Sequence, residues 1–576
     1  MIKLQARQVV SNIQWPDTVH PLLQRIYSAR HIETPDDIEL SLQKLLPPKG
    51  LKGLGAAVDL LAAAVSDHQH IMIIGDFDAD GATSTALAIR VLRAMGAEKV
   101  SYLVPNRFEY GYGLTTGIVQ EALKQKPDLI VTVDNGISNI EGVDFAKAHG
   151  IKVLITDHHL PGSQLPAADA IVNPNQAGDQ FESKALAGVG VIFYVLSALR
   201  KQLREMNWFQ QRSIAEPNMA DYLDIVALGT IADVVPLDRN NRILVNEGIK
   251  RIRAGRCVKG IRALLEAAQR NPARLVSADL GFAVGPRLNA AGRLDDMSVG
   301  IECLLADDDS AYQLAYQLDS LNRERRSIES GMQNEALRYL EQIDIDDQPV
   351  FGLSLYDESW HQGVIGILAS RLKEKMHRPV IVFAPGDEGE IKGSGRSISG
   401  IHIRDALEAI STQHPGLIKK FGGHAMAAGL TITETDFDLF ADAFNQQIDD
   451  MSDEEMLEAV VFTDGQLETD DFDIQTVELL EQAGPWGQAF PEPLFNGCFR
   501  IINQRILKDK HIKLVLSPND SDGDKLVDAI VFNHFEGTEP EHEKQLPETV
   551  ELVYKLAIND FRGQQNLQLI IDHILH

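Results

Sequence analysis

Three times in the first part of this chain a short, unbroken apolar run stops abruptly at acids. Ile71-Met72-Ile73-Ile74 runs into Gly75-Asp76-Phe77-Asp78-Ala79-Asp80-Gly81, Leu129-Ile130-Val131-Thr132-Val133 into Asp134-Asn135-Gly136, and Val153-Leu154-Ile155-Thr156 into Asp157-His158-His159. Runs of this length without polar alternation read as strands buried on both faces, the signature of a parallel sheet. Helical stretches between them, such as 82–89 and 141–149, supply the crossovers of βαβ units, so the strand ends are expected to face one crevice, where open α/β sheets bind ligands. On extended backbone, Asp76, Asp78 and Asp80 would share one side, and their mutual repulsion would call for a cation. The plainer reading of a lone DxD is a solvated acidic turn. A fourth acid, Asp233, follows the apolar run 225–232. Such a residue is usually a cap or an ion-pair partner, unless the other acids converge on it.

The 576 residues are too many for one core and predict roughly three or four domains. Cys257, Cys303 and Cys498 lie far apart with no CxxC pairing, which excludes a disulfide framework and a thiolate zinc site and fits a reducing cytoplasm. The opening Met1-Ile2-Lys3-Leu4-Gln5-Ala6-Arg7 lacks a signal-peptide core, and no run reaches membrane-spanning length, so a soluble cytoplasmic protein is expected. A formal charge of −29 argues against attraction to nucleic acid over the whole surface. A polyanion would have to be met by a local basic groove or by a metal centre.

Residues 1–65 read as an N-terminal helical arm ending in the break Pro47-Pro48-Lys49-Gly50. Within the loop 105–114, Arg107 among Tyr110 and Tyr112 is either turn chemistry or a phosphate contact beside a stacked base. Helical spacing over 306–342 predicts a long connecting helix whose cluster Arg323, Arg325 and Arg326 reads as a solvated face. A second α/β domain follows at 343–450, with strands at 349–355 and 379–383. In its Gly393-Ser394-Gly395-Arg396-Ser397, the glycines either make tight turns or let backbone amides and a forked guanidinium approach a phosphate. The acidic stretch 449–455 reads as a hinge, and the β-rich runs of 451–576 as a small barrel.

Asp78-Ala79-Asp80-Gly81, Asp134-Asn135-Gly136, Asp157-His158-His159 and Gly229-Thr230-Ile231-Ala232-Asp233 resemble, in order, the four motifs of the DHH phosphoesterase superfamily. Gly285-Pro286-Arg287-Leu288-Asn289-Ala290-Ala291-Gly292-Arg293, the 393–397 motif and Gly422-Gly423-His424-Ala425-Met426-Ala427-Ala428-Gly429 resemble its RecJ single-strand-specific exonuclease branch. The resemblance covers nearly the whole chain. It implies a parallel-sheet DHH catalytic domain at 66–305, the connecting helix at 306–342, a DHHA1 substrate-binding domain at 343–450 and an OB-like nucleic-acid-binding barrel at 451–576. Where the pyrophosphatases of the superfamily carry a histidine, Ile74 stands here, so Asp76 is expected to take over as a ligand.

Hydrolysis of a phosphodiester by two Mn²⁺ ions, or Mg²⁺, is the chemistry this implies. Asp134 is the expected bridge between the ions, with Asp76, Asp78 and Asp80 on one side and His158 with Asp233 on the other. Asp157 would orient an imidazole, and His159 would face the scissile phosphate. Substrate-binding roles are implied for Arg107, Tyr112, Arg287, Asn289, Arg293, Ser394, Arg396 and His424, with Ser394, Arg396 and Arg107 capturing a terminal 5′ phosphate. The expected activity is 5′-to-3′ degradation of single-stranded DNA in repair and recombination, by a monomer that works with a single-strand-binding protein and a helicase. The alternatives are a non-catalytic replication scaffold and a small-nucleotide phosphodiesterase. Intact acids and histidines weigh against the first, and the long helix and terminal barrel would be surplus to the second.

Overall fold

The computed structural model describes every residue except 1–2, 10–12, 106–112, 343–349, 388, 454, 509, 520–524, 535–545, 562 and 576. The chain forms two compact units, one of Val9–Asn322 with Leu479–Glu492, the other of Met1–Gln8, Arg323–Glu478 and Pro493–His576. Among the described residues no helix is long and apolar enough to cross a membrane.

The larger unit is built on a five-stranded parallel sheet in the order Val100–Leu103, Ile71–Ile74, Leu129–Val133, Lys152–Thr156, Ala170–Val172. Every residue of Ile71–Ile74 and Leu129–Val133 is buried, as continuous apolar runs demand. The chain steps from Ile71–Ile74 to one side and then returns to its other side, so strand order reverses between Ile71–Ile74 and Leu129–Val133. That reversal leaves a crevice at the carboxyl ends, beside Asp76 and Asp134. Helix Ala79–Ala94 is buried along most of its length by small residues, which let helices Gly188–Glu205 and Leu223–Ala232 lie close against it. The late segment Leu479–Glu492 belongs to this same unit. Trp486 stacks on Phe490 at 5.1 Å, Tyr27 lies 6.3 Å from both rings, and Tyr27 Oη donates to the Ala483 carbonyl at 2.9 Å.

The other unit contains a mixed sheet in the order Ile418–Gly423, Ala427–Thr433, Glu390–Arg396, Val380–Pro385, Leu353–Tyr356, in which only the last two strands run parallel. Its barrel is closed in the order Phe495–Leu507, His511–Pro518, Val527–Val531, Gln564–Leu575, Thr549–Phe561. Phe495, Phe499 and Tyr554 pack inside it. Helix Ser310–Gln342 runs for 33 residues, which corresponds to roughly 50 Å.

Four expectations change. Residues 1–65 are not simply a helical arm: helices Pro21–Ser28 and Leu54–Ser66 are present, but Lys3–Ala6 is a strand paired in parallel with Val460–Thr463. Arg325 is not on a solvated face. It is 9 % exposed and pairs with Glu329 at 2.7 Å, which Arg371 also contacts at 3.1 Å, so one buried carboxylate is shared by two guanidinium groups. The strand expected over 349–355 is observed at Leu353–Tyr356, because the pairing with Val380–Pro385 begins only there. The acidic stretch 449–455 starts inside helix Phe437–Met451.

Candidate metal centre

The acids after the first strand do not share one side of an extended backbone. Asp78 caps helix Ala79–Ala94 by accepting from Gly81 N at 3.0 Å, and Asp80 lies in the first helical turn. The helical twist carries Asp80 away from Asp76 and Asp78 toward helix Gly188–Glu205, whose first amides, Gly188 N and Val189 N, donate to its carboxylate at 2.6 and 2.9 Å. Ligand atoms therefore gather in three groups, each within 4.8 Å: Asp76, Asp78 and Asp134; Asp80, His158 and Asp233; Asp134, His158 and His159. Asp80 thus sits with His158 and Asp233, which corrects the expected grouping. Asp134 and His158 each belong to two groups.

Close packing holds this arrangement. Asp134 takes a left-handed φ of 64° at its strand end, and Val234, just past Asp233, takes 61°, a conformation a β-branched residue rarely adopts. Gly188 passes so near that a Cβ there would lie 2.6 Å from the Asp134 Cβ, and a Cβ at Gly229 would strike Thr83 and come within 3.0 Å of Asp80. The Asn135 amide donates to the carbonyls of Ile74 at 3.1 Å and Val133 at 2.9 Å, tying the two central strands together at the crevice.

Asp157 accepts four hydrogen bonds, from Ile137 N (2.9 Å), His158 N (2.7 Å), His159 N (3.0 Å) and His159 Nδ1 (2.8 Å). Burial alone would lift its pKa, but the bonds and charge of His159 outweigh burial and hold it low. For His159, burial pulls the other way and is overcome by Asp157, so its pKa is raised and Nδ1 carries the shared proton. Asn175 and Asn173 donate to the backbone carbonyls of His158 (2.6 Å) and His159 (2.9 Å) and fix the pair from a neighbouring loop.

The rest of the cluster is electrostatically incomplete. Burial first and neighbouring carboxylates second push Asp80 up to about 7 and lift Asp134 and Asp233 well above the usual carboxylate range. Burial and then the neighbouring His159 bring His158 down to about 4, so it is neutral. Its Nε2 lies 3.1 Å from Asp134 Oδ1 and 3.4 Å from Asp233 Oδ2, yet among the described residues Nε2 and Asp233 Oδ2 are buried without a hydrogen bond. Carboxylate oxygens with one neutral imidazole form a donor set that suits a hard or borderline divalent cation.

The other singled-out residues fall elsewhere. Arg287 is 8 % exposed, pairs with Asp319 at 2.7 Å and donates to the Ala283 carbonyl at 2.6 Å, so it braces helix Gly285–Leu294. Asn289 accepts from Ala79 N at 2.8 Å, and a Cβ at Gly292 would collide with the Phe77 carbonyl. That motif presses a helix backbone onto the acidic loop. Arg293 is half-buried at the end of the same helix. In the other unit, Arg396 Nη1 donates to Ser394 Oγ at 3.2 Å and to the Gly395 carbonyl at 2.8 Å, and burial lowers its pKa. Gly366, in the first turn of helix Ile365–Met376, leaves both side chains room: a Cβ there would lie 3.0 Å from each. His424 is exposed, with its amide donating to the Ala427 carbonyl at 2.8 Å. Arg107 and Tyr112 lie outside the described residues.

Sequence reasoning missed the amides of Gly188 and Val189 and the clamp of Asn173 and Asn175. The glycine pair around Val189 and the Asn173-Pro174-Asn175 loop were the available signals.

A carboxylate-and-imidazole cluster at the switch point of a parallel sheet, followed by a mixed α/β domain and a five-stranded barrel, defines a three-module class of protein, and comparison with known families agrees. Residues 70–230 match the DHH family, N-terminal domain, residues 347–450 the DHHA1 domain and residues 463–573 the RecJ OB domain. The chain is 54 % identical over 570 residues to the single-stranded-DNA-specific exonuclease RecJ of Dickeya dadantii, covering 99 % of this chain and 98 % of that one. It is 51 % identical over 575 residues to the protein of the same name from Escherichia coli, covering 100 % and 99 %. The crystal structure of RecJ in complex with Mn²⁺ from Thermus thermophilus superposes with a TM-score of 0.78 at 30 % identity, over 97 % of this chain and 76 % of that one. A structure of exonuclease RecJ bound to manganese gives 0.59 at 36 % identity, over 71 % and 97 %. The chain belongs to the RecJ family.

Proposed function

We propose that this protein is a metal-dependent exonuclease that degrades single-stranded DNA from a 5′ end by hydrolysing phosphodiester bonds. The observation that carries the reading is the trio of overlapping donor groups joined through Asp134 and His158. Two crystal structures of RecJ hold Mn²⁺ and one holds Mg²⁺, and the donor set here fits either ion. Asp76, Asp78 and Asp134 would hold one ion and Asp80, His158 and Asp233 the other, with Asp134 also beside His158. When bound, such a pair neutralises the non-bridging oxygens of the scissile phosphate and makes a nucleophile available at neutral pH.

The chain's own residues do the rest. Asp157 accepts from His159 Nδ1 and raises the pKa of the ring, which leaves its other nitrogen to donate to the phosphate or to the departing oxygen. Asn173 and Asn175 keep both imidazoles in place. In the second module, Ser394 Oγ and the Arg396 guanidinium sit against the first turn of helix Ile365–Met376, the usual setting for a phosphate. There they take the 5′-terminal phosphate, which sets the polarity, and Arg107, Tyr112, Arg293 and His424 add contacts to the strand. Arg287 and Asn289 serve the reaction by bracing the acidic loop.

The barrel adds backbone contacts remote from the reaction. Single-stranded ends arise when duplexes are opened in repair and recombination, where we place the activity. A helicase that opens the duplex and a protein that coats the strand are the partners this calls for.

The test is digestion of labelled strands with Mn²⁺. A 5′-phosphorylated single strand is shortened, a blunt duplex resists, and chelation stops the reaction. Equal digestion of duplex and single strand, or activity indifferent to chelation, defeats the reading.

A further inference from the structure

A cavity of about 350 Å³ opens in the larger unit and shares no residue with the acid cluster. Its walls include Tyr27, Ile38, Leu40, Arg242, Asn246 and the segment Gln482 to Gly484. Tyr27 is bonded to the Ala483 carbonyl at 2.9 Å and Asn246 to the Leu40 carbonyl at 3.1 Å, so the walls are fixed to each other.

Arg242 is the anomaly. It is 4 % exposed, and its Nε is buried with no hydrogen bond among the described residues. A guanidinium remains charged, and a buried charge is normally paired. The acids nearby are engaged elsewhere. Asp37 lies 3.9 Å from Arg239, Asp238 accepts from Ser183 Oγ and Asn241 N at 2.6 and 2.8 Å, and Glu39 accepts from Ser41 Oγ at 3.1 Å and lies 3.5 Å from Lys44. Lys250, also on the wall, pairs with Glu247 at 2.7 Å. What faces Arg242 is the Phe490 ring, 4.3 Å from the guanidinium carbon. Burial lowers its pKa, and the charges of Asp37 and Asp238, neither of them paired with it directly, offset that only in part.

We propose that this cavity binds a small organic oxyanion, a carboxylate or a phosphate monoester, with Arg242 taking the charged end. Both anions match a guanidinium fork. The volume lies in the range of small-molecule sites, and Ile38 and Leu40 supply apolar wall for the rest of the ligand. Because Gln482 to Gly484 form part of the wall, the ligand also fastens the Leu479–Glu492 segment to its unit.

The experiment uses the full-length, metal-free protein, with millimolar inorganic phosphate, citrate and deoxyadenosine monophosphate as probes. Melting temperature reports binding, and hydrogen exchange followed by mass spectrometry locates it. An organic probe is expected to raise the melting temperature and to slow exchange at residues 38–41 and 482–484. Arg242→Met should weaken that binding about ten-fold or more. Leu40→Trp, which fills the cavity with Arg242 intact, decides the matter if Arg242→Met does not fold, and it too should lose binding. Preference for citrate or for the nucleotide identifies the anion class. The proposal is overturned if no probe protects those two segments, if inorganic phosphate binds as well as the organic probes, or if the variants keep the parent's affinity.

Discussion

The larger unit ends its parallel strands in Asp76, Asp134 and Asp157, whereas the mixed sheet of the other unit ends a strand in Ser394 and Arg396 beside the start of a helix. The first site gathers negative charge that the protein satisfies only in part: Asp157 is saturated with donors, but His158 Nε2 and Asp233 Oδ2 make no hydrogen bond. The second holds positive charge and answers some of it locally, since Arg396 donates to Ser394 Oγ and the Gly395 carbonyl. A cation is therefore integral to the acid cluster, while an anion at Arg396 is a matter of selectivity. Losses at the first should remove the reaction, and losses at the second should redirect it.

The largest effect is expected from Asp134→Ala, which should lower cleavage on the order of 10³-fold or more and reduce bound metal, because the shared ligand is gone. Turnover near the parent's level in Mn²⁺ would break the comparison at its root. His159→Ala should retain its metal yet lose roughly 10²- to 10⁴-fold in turnover. Metal loss equal to that of His158→Ala would make His159 a ligand instead.

A third prediction concerns stability without metal. The folded protein binds the Asp80 proton more tightly than the unfolded chain does, so this contribution is complete at low pH and is lost as pH rises from about 4 through about 7. Its full size is on the order of a few kcal/mol, since each pKa unit is worth ~1.4 kcal/mol. Melting temperatures of metal-free protein should thus fall between pH 6 and pH 8, with Asp80→Asn flattening the slope. An unchanged slope in that variant removes Asp80 as the source. Smallest is Arg396→Ala, which should keep its metal and lose roughly 2 kcal/mol of preference for a 5′-phosphorylated over a 5′-hydroxyl strand. Equal discrimination by parent and variant would return those glycines to plain turns.

The features that could be read from sequence were those set by local patterning. Unbroken runs such as Ile71 to Ile74 admit few folds, and acids at strand ends admit few uses. The barrel was legible from its short β-rich runs, and the long helix from its spacing. What sequence hid were relations between distant residues. Arg287 looked like a substrate contact until Asp319 was placed beside it, and Arg325 looked solvated until Glu329 and Arg371 enclosed it. The alternation of Asp76, Asp78 and Asp80 suggested a common side because nothing local announces that a helix begins between them. Capping by Asp78 starts that helix and hands Asp80 to the amides of Gly188 and Val189, more than a hundred residues on. Lys3–Ala6 gave no strand signal at all, since its partner Val460–Thr463 lies near the other end of the chain.

The chain passes from one unit to the other at residues 8/9, 322/323, 478/479 and 492/493. A ribosome releases it in one direction, so the larger unit emerges almost whole but without Leu479–Glu492, whose Trp486 and Phe490 lie beside Tyr27. Translation at ~5–20 residues per second leaves that gap open for roughly 10–30 s while residues 323–478 are made. Meanwhile Tyr27 and Arg242 lack the aromatic cover they have in the finished protein. The strand Lys3–Ala6 waits longer still, from the first residues made until its partner Val460–Thr463 emerges. Completion of both units is thereby postponed until residues 460–492 are made, and a nascent chain stalled before Leu479 carries every ligand of the metal cluster on a unit that has not closed.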